Sequence, residues 1–408
     1  MKKDFLPIVL GSDENSYGNC RLLIEAYGVR PLVLCSRRLV PTQNSRVSDY
    51  IEIPNFDQDE IFVRELARVL EREKDNYEKL VVLPCSDYYV TLLTRNRDAF
   101  GDLISNGFIS YELLQTLEKK HSFYELCSSL GLEAPPSYFC KVQDILEAAD
   151  NAQLGWPLVV KPENSNAVEY LNCHFDGKKK VFIFNNAEEY RKAMSSLKGS
   201  GYNGKMILQK FIPGGDSDTR VINAYCDSNG KVTMMAMGQG VLEEYAPKTL
   251  GNYAAIICRP DGELLEKVKQ FLEGIGYIGF ANFDLKYDRE SGKTYVFEIN
   301  PRIGRSSFFA YSGGVNFMEA FISDTVYGKQ NKLSVASKRS LWVNVPFGVL
   351  MKYIKDKQIK KELKELKKES GISRTLIWNK DLSPSRFLKI WRYYLMHYRN
   401  YRRYYFDK

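Results

Sequence analysis

The sequence predicts an α/β protein that opens on a parallel sheet, continues through α+β lobes and ends in a basic helical extension. Three observations carry that expectation. Apolar strand-like runs alternate with helical patterns over the first hundred residues, the pattern changes to short strands with glycine-rich turns from 138 to 310, and the positive charge is confined to one end. Residues 6–11 (LPIVLG) read as a buried strand ending in glycine, 12–19 as a polar loop, and 20–27 as a short helix stopped by Gly28. Further strands follow at 31–35 and 50–53. Residues 57–75 place apolar side chains at 61, 62, 66, 69 and 70, a helical period, and 80–84 is a strand ending at Cys85-Ser86-Asp87. Such alternation implies a parallel sheet, whose ligands gather at the carboxyl ends of strands. Here those ends are Gly11-Ser12 and Ser86-Asp87, with ordinary turn chemistry as the competing reading.

Residues 112–131 predict one helix closed by Gly131, and Pro135-Pro136 marks a boundary. Asp227-Ser228-Asn229-Gly230 between two β-type runs predicts a hairpin. With 44% hydrophobic and 26% charged residues the composition is that of a globular protein, which excludes disordered and collagenous classes. No apolar run reaches a membrane span and the first residues lack the apolar stretch of a leader, so a cytoplasmic protein is expected. The eight cysteines are scattered without a CxxC pair and read as reduced thiols. Residues 329–408 carry 21 Lys and Arg against 6 Asp and Glu, whereas the first 328 carry 37 against 44. A basic appendage is therefore joined to a mildly acidic body.

The chemistry concentrates in residues 280–307, FANFDLKYDRESGKTYVFEINPRIGRSS. Two β-type runs, 281–287 and 294–299, flank a turn. A hairpin centred near Ser291 sets Asp284 opposite Glu298, with Asn300 two residues on along the same face. Facing carboxylates repel unless a cation lies between them, and an Asp, a Glu and an Asn carbonyl are hard oxygen ligands suited to magnesium. A one-residue slip would separate the pair. Arg302 and Arg305 follow, and arginine grips carboxylates and phosphates bidentately. Salt bridges to the protein's own acids are the alternative, more so for Arg305. Upstream, PLVVKP (157–162) ends an apolar strand with Lys161, a placement that suits a waiting polyphosphate. ILQKFIPG (207–214) runs a strand into a Pro-Gly turn and can offer backbone groups and the Gln209 amide to a flat base. His121, His174 and His397 show no ligand spacing and read as structural.

Lys120 ahead of Gly131, the LVVKP strand, the QKFIPGGDSD hinge and the FEINPRIGRSS segment occur in the order of the ATP-grasp superfamily, which the chain resembles to about residue 325. That resemblance implies an ATP-grasp fold: a Rossmann-like N-terminal domain (1–112), an ATP-grasp domain (113–328, with lobes at about 136–210 and 211–328) and a basic, aromatic-rich helical region (329–408). It further implies that Lys120 and Lys161 contact ATP phosphates and that Gln209 with the backbone of Lys210, Phe211 and Ile212 holds the adenine. Asp216, or its neighbour Asp218, would lie near the ribose. Asp284, Glu298 and Asn300 would ligate Mg2+, with Mn2+ as the alternative metal, and Arg302 would face the transferring phosphoryl group, with Arg305 beside it. Two departures stand out: many relatives carry Glu at the position of Gln209, and the phosphate-covering stretch 164–180 has Gly177 as its sole glycine, with lysines at 178–180 either replacing amides as an anion clamp or forming an exposed tip.

Members of this superfamily join a carboxylate to an amine through an acyl phosphate. Within it the chain looks most like the D-aspartate ligases of peptidoglycan synthesis, which implies D-aspartate as the acid and the lysine amine of a UDP-linked muramyl peptide as acceptor. Arg220, Lys248 and Asn252 lie where acceptor contacts would fall. The alternatives are a ligase for another amino acid or small carboxylate, and a nucleotide-binding regulator without turnover, against which the intact Asp284, Glu298, Asn300 and Arg302 argue.

The tail completes the reading. Residues 352–369 predict a Lys/Glu-rich helix with a solvated face. Ser383-Pro384 starts another, on which Phe387, Ile390, Trp391, Tyr394, Tyr398, Tyr401 and Tyr405 share one face beside Lys389, Arg392, Arg399 and Arg403. Such a helix (383–406) either lies peripherally on the anionic inner membrane surface or docks on its own enzyme. No nucleic-acid module accompanies the charge.

Overall fold

The computed structural model describes residues 2–163 and 168–406. Residues 164–167 of the expected phosphate-covering stretch lie outside the described residues. The chain forms two compact units, one built from 1–114, 215–285 and 299–408, the other from 115–214 and 286–298.

The first unit opens on four parallel strands, β1 (Lys3–Leu10), β2 (Leu32–Cys35), β3 (Asp49–Glu52) and β4 (Tyr77–Pro84), in the order β3-β2-β1-β4. Both faces of a parallel sheet are covered, which is why these runs are continuously apolar. Alternation sends Val9, Val33, Val81 and Leu83 into one core with Tyr17, Cys20 and Leu23. It sends Ile8, Leu10, Leu34 and Val82 into another with Phe62, Leu66 and Leu70. Each fully buried aliphatic side chain of this kind contributes about 1.5–3 kcal/mol.

The helix expected from residue 20 begins earlier. Helix α1 spans Glu14–Tyr27, capped by Asp13, which accepts from the Ser16 amide at 3.0 Å, and it ends at Gly28 with φ +67°. Its first turns are polar yet buried, because their groups find partners far along the chain. Asn15 Nδ2 donates to the carbonyls of Cys85 (3.0 Å) and Ile303 (2.9 Å), and Asn19 donates to Asn15. The Gly11-Ser12 turn is structural: Gly11 has φ +121°, a Cβ there would meet Ser16 Oγ at 2.8 Å, and Ser12 Oγ donates to Arg37 O. Helices α2 (Asp59–Glu73) and α3 (Asp87–Arg95) complete this part.

The second unit is built on β5 (Ser137–Lys141), β6 (Leu158–Pro162), β7 (Phe182–Phe184) and β8 (Lys205–Lys210), antiparallel in the order β5-β8-β6-β7. Its core gathers Leu158, Val160, Phe182, Tyr190, Met194 and Leu208. The helix expected over 112–131 is broken at Lys119 into Tyr111–Glu118 and Lys120–Ser129.

The remaining strands are β9 (Thr219–Cys226), β10 (Val232–Glu243), β11 (Tyr253–Cys258), β12 (Gly279–Tyr287), β13 (Thr294–Asn300), β14 (Ser334–Val335) and β15 (Ser340–Val343). They run β13-β12-β9-β10-β11-β15, with β14 beside β10. The chain passes from one unit to the other within β12 and within β13. The predicted β9–β10 turn is present, Asp227 Oδ1 accepting from the Asn229 and Lys231 amides at 2.9 Å.

Residues 352–369 form parts of two helices, Phe347–Tyr353 and Lys357–Glu369, and the latter buries Ile359, Leu363 and Leu366. The last helix, Pro384–Tyr404, starts on the Ser383 cap. Its aromatic face is wider than the surface it covers, so the residues expected together are divided. Ile390, Tyr394 and Tyr401 are buried, with His397, whereas Phe387, Trp391 and Tyr398 stay about half exposed with Leu395. Its start is pinned by Arg386, fully buried. Arg386 Nε lies 2.9 Å from Asp381, Nη1 donates to the carbonyls of Pro41 and Gln43, and the guanidinium covers the Tyr17 ring. Among the described residues no helix is long and apolar enough to cross a membrane, and all eight cysteines are free thiols, seven of them buried.

Candidate active site

In the second unit, antiparallel β6 and β8 bring Lys161 and Gln209 side by side. Lys161 Nζ donates to Gln209 Oε1 at 3.2 Å, while Gln209 Nε2 donates to Tyr124 Oη (3.1 Å) and Ser137 Oγ (3.0 Å). The Gln209 amide is thus engaged on both its oxygen and its nitrogen within its own unit, and it is buried. The Lys210 amide is likewise engaged, donating to Pro136 O at 2.9 Å. Phe211 lies under the Lys286 ammonium, 5.8 Å from its centroid, and Ile212 is buried.

Lys120, at the start of its helix, reaches Phe297 O (3.4 Å) and Glu298 Oε2 (3.3 Å). Burial, reinforced by the Lys120 ammonium, pulls Lys161 down to about 7, against a partial counter-pull from Glu298. An anion beside the two ammonium groups would relieve this like-charge repulsion. Lys178 donates to the Leu171 and Cys173 carbonyls.

In the first unit Asp284 Oδ2 accepts from Asn300 Nδ2 at 3.1 Å and Oδ1 from Tyr253 Oη at 3.2 Å. Glu298 precedes Asn300 by two positions on β13 and shares its strand face. These hard oxygens fit a hard divalent cation. Among the described residues no group of three His, Cys, Asp or Glu forms a metal cluster.

Arg302 is held bidentately by Asp87, Nε to Oδ1 and Nη2 to Oδ2, both at 2.9 Å. Asp87 opens α3, whose cap is Ser86. The strand-end pair Ser86-Asp87 therefore orients an arginine. Burial works against the Arg302 charge, but Asp87, then Asp284 and Asp13, more than offset it. Arg305 Nη2 sits 3.1 Å from Glu14 Oε2 and 3.2 Å from Glu244 Oε1. Burial pushes the Glu14 carboxyl up to about 7, opposed by Arg305 and assisted by Glu244 and Asp13.

Asp216 accepts from the Glu243 amide and from Tyr245 Oη, both at 2.9 Å, and Asp218 closes a short turn by accepting from the Gly215 amide. Arg220 turns to the carbonyls of Ser217 and Thr219. Sequence reasoning missed Tyr124, Glu14 and Glu244, and it placed Asp87 at a strand end without pairing it with Arg302. The one available signal was the need of a buried arginine for an acid, which does not say which acid.

Over 394 residues the chain is 36% identical to the D-aspartate ligase of Enterococcus faecium (strain Aus0004), spanning 95% of this chain and 93% of that protein. No family model matches. Among solved structures, N5-carboxyaminoimidazole synthetase from Staphylococcus aureus superposes with a TM-score of 0.58 at 17% identity, covering 90% of this chain and 87% of that one; it has also been solved with ADP. L-amino acid ligase from Bacillus licheniformis gives a TM-score of 0.53 at 17% identity, over 80% and 75% of the two chains. At that identity the two structures speak for the fold alone.

Proposed function

The chain belongs to the D-aspartate ligase family of ATP-grasp, carbon–nitrogen bond-forming ligases, and from that premise we propose that it joins the β-carboxylate of D-aspartate to the lysine side-chain amine of a UDP-linked muramyl peptide. The near full-length likeness to D-aspartate ligase carries this reading, and the charge arrangement supports it. Lys120 and Lys161 hold the ATP phosphates, with Gln209 orienting Lys161. The segment from Lys210 to Ile212 packs on the adenine, and Asp216 lies toward the ribose. Asp284, Glu298 and Asn300 hold magnesium, which when bound neutralises phosphate oxygens. Arg302, preset by Asp87, faces the phosphoryl group as the acid's carboxylate attacks the γ-phosphorus and ADP departs. The amine then displaces phosphate from the acyl phosphate. Positioning and charge neutralisation supply the rate.

Phosphate release from ATP and magnesium with the peptide precursor and a panel of acids tests this. D-aspartate is expected to be the productive acid. Release with a different acid and none with D-aspartate would overturn the substrate assignment, and none with any pair would favour a regulator.

Free Lys161 is neutral between pH about 7 and its ordinary 10.5, whereas a bound polyphosphate favours the ammonium. ATP binding near pH ~8 is therefore expected to take up a proton at this position, and below pH about 7 to take up none there. Calorimetric titrations in two buffers of different ionisation enthalpy read this out. Equal apparent enthalpies at the higher pH would remove Lys161 from the phosphate contacts.

The exposed stripe Phe387, Trp391, Leu395 and Tyr398, flanked by exposed Arg392 and Arg399, suits a peripheral seat on an anionic bilayer. Co-sedimentation with phosphatidylglycerol vesicles is expected, weakened by W391S and absent with phosphatidylcholine. Equal sedimentation of the parent and W391S would discard the membrane contact.

A further inference from the structure

A second set of polar groups, on four separate segments of the first unit, is buried around Arg305. Glu14 comes from the first turn of α1, Glu244 from the residue after β10, Asn344 from the residue after β15 and His397 from the C-terminal helix; each is at least nine-tenths buried. Asn344 Nδ2 donates to Glu14 Oε2 at 2.8 Å, the same oxygen that receives Arg305 at 3.1 Å. His397 feels the charges of Glu244 and Arg305.

This network is incomplete. Glu14 Oε1, Asn344 Oδ1, His397 Nε2 and Arg305 Nη1 are all buried without a hydrogen-bond partner. Native proteins pair nearly all buried polar atoms, and an orphan costs its full desolvation. Three of these orphans lie on one hydrogen-bonded network, the fourth is on His397, which its charges reach, and together they point to a ligand that completes it. Their chemistry defines that ligand. A carboxylate oxygen, an amide oxygen and a ring nitrogen are acceptors, and together they match the three donors of an ammonium. The remaining group, a guanidinium N–H, matches a carboxylate. One small molecule carries both.

We propose that Glu14, Asn344 and His397 receive the α-ammonium of an amino-acid substrate and Arg305 its α-carboxylate, so that the C-terminal helix forms one wall of the substrate site. This rests on the ligase reading above and adds to it the residues that recognise the amino-acid end. With D-aspartate bound in this way, the β-carboxylate is the one left for phosphoryl transfer. The basic tail then has a second occupation: its outer face is solvent-exposed, while its inner face reads the substrate.

The test uses the full chain, with H397F, N344A and the pair D-aspartate and succinate, which lacks the amine. Because His397 Nε2 has no protein partner, H397F removes no hydrogen bond made by that atom, and ADP affinity in each variant reports that the nucleotide site is intact. In the parent protein D-aspartate is expected to bind the ADP form on the order of 10–100-fold more tightly than succinate. H397F and N344A are expected to raise the KM for D-aspartate by roughly 10-fold or more at unchanged ADP affinity, and to shrink the preference over succinate toward unity. A merely structural role would weaken both acids alike. Variants that keep the parental preference overturn the proposal, and if they do so while phosphate release with D-aspartate persists, the ligase reading stands. Amino-acid binding that responds as expected in a protein without turnover supports this site and overturns the ligase reading instead.

Discussion

Glu298→Ala is expected to lower phosphate release on the order of 1000-fold or more while leaving the thermal midpoint nearly unchanged. The two halves of this expectation have different sources. Glu298 is about half exposed and pairs with Lys120 at 3.3 Å, and an ion pair that open to water contributes about 0–1 kcal/mol to folding. In the proposed site it presents a hard carboxylate to magnesium, and the loss of charge stabilisation at a transferring phosphoryl group is large. Initial rates at saturating ATP and magnesium, set beside a melting curve, measure both. Retained turnover would sink the metal assignment.

The largest stability effect is expected at Asp381, a residue remote from the chemistry. Its carboxylate accepts from Tyr17 Oη (3.0 Å), Ser45 Oγ (2.7 Å) and the Arg46 amide (2.7 Å) and forms an ion pair with Arg386 Nε at 2.9 Å, and both Asp381 and Arg386 are buried. Removing one member of a buried pair leaves the other charge uncompensated, so Asp381→Ala is expected to cost about 3–5 kcal/mol. Urea denaturation at unchanged m-value is the measurement. A loss below about 1 kcal/mol would show that other contacts pin the C-terminal helix. Because that helix also carries His397, the same variant is expected to weaken amino-acid binding.

These residues mark the boundary of what was legible. Strands β1, β2 and β4 stood out because a parallel sheet buried on both faces demands continuous apolar runs. The hairpins at 227–230 and 288–292 stood out because turn residues act locally. Lys161 and the FEINPR segment were conspicuous because charged groups at strand ends contradict their apolar neighbours. The early start of α1 was hidden, since Asn15 and Asn19 look like loop residues until Cys85 and Ile303 supply their partners. The employment of Gln209 was hidden too. Its amide could face a base as readily as Lys161, and antiparallel pairing of β6 with β8 sets it beside the lysine.

The sequence by itself determined the order of elements, the identity of the charged groups at the strand ends and the separation of an acidic body from a basic tail. All of these follow from local periodicity and from residue type. Only the tertiary structure decided which acid each arginine meets, Asp87 for Arg302 and Glu14 with Glu244 for Arg305, and which half of the tail's aromatic face is buried. Those outcomes depend on contacts between residues up to several hundred positions apart, and burial makes them decisive: in a low-dielectric interior an unpaired charge or an orphaned polar atom is costly enough to dictate its partner.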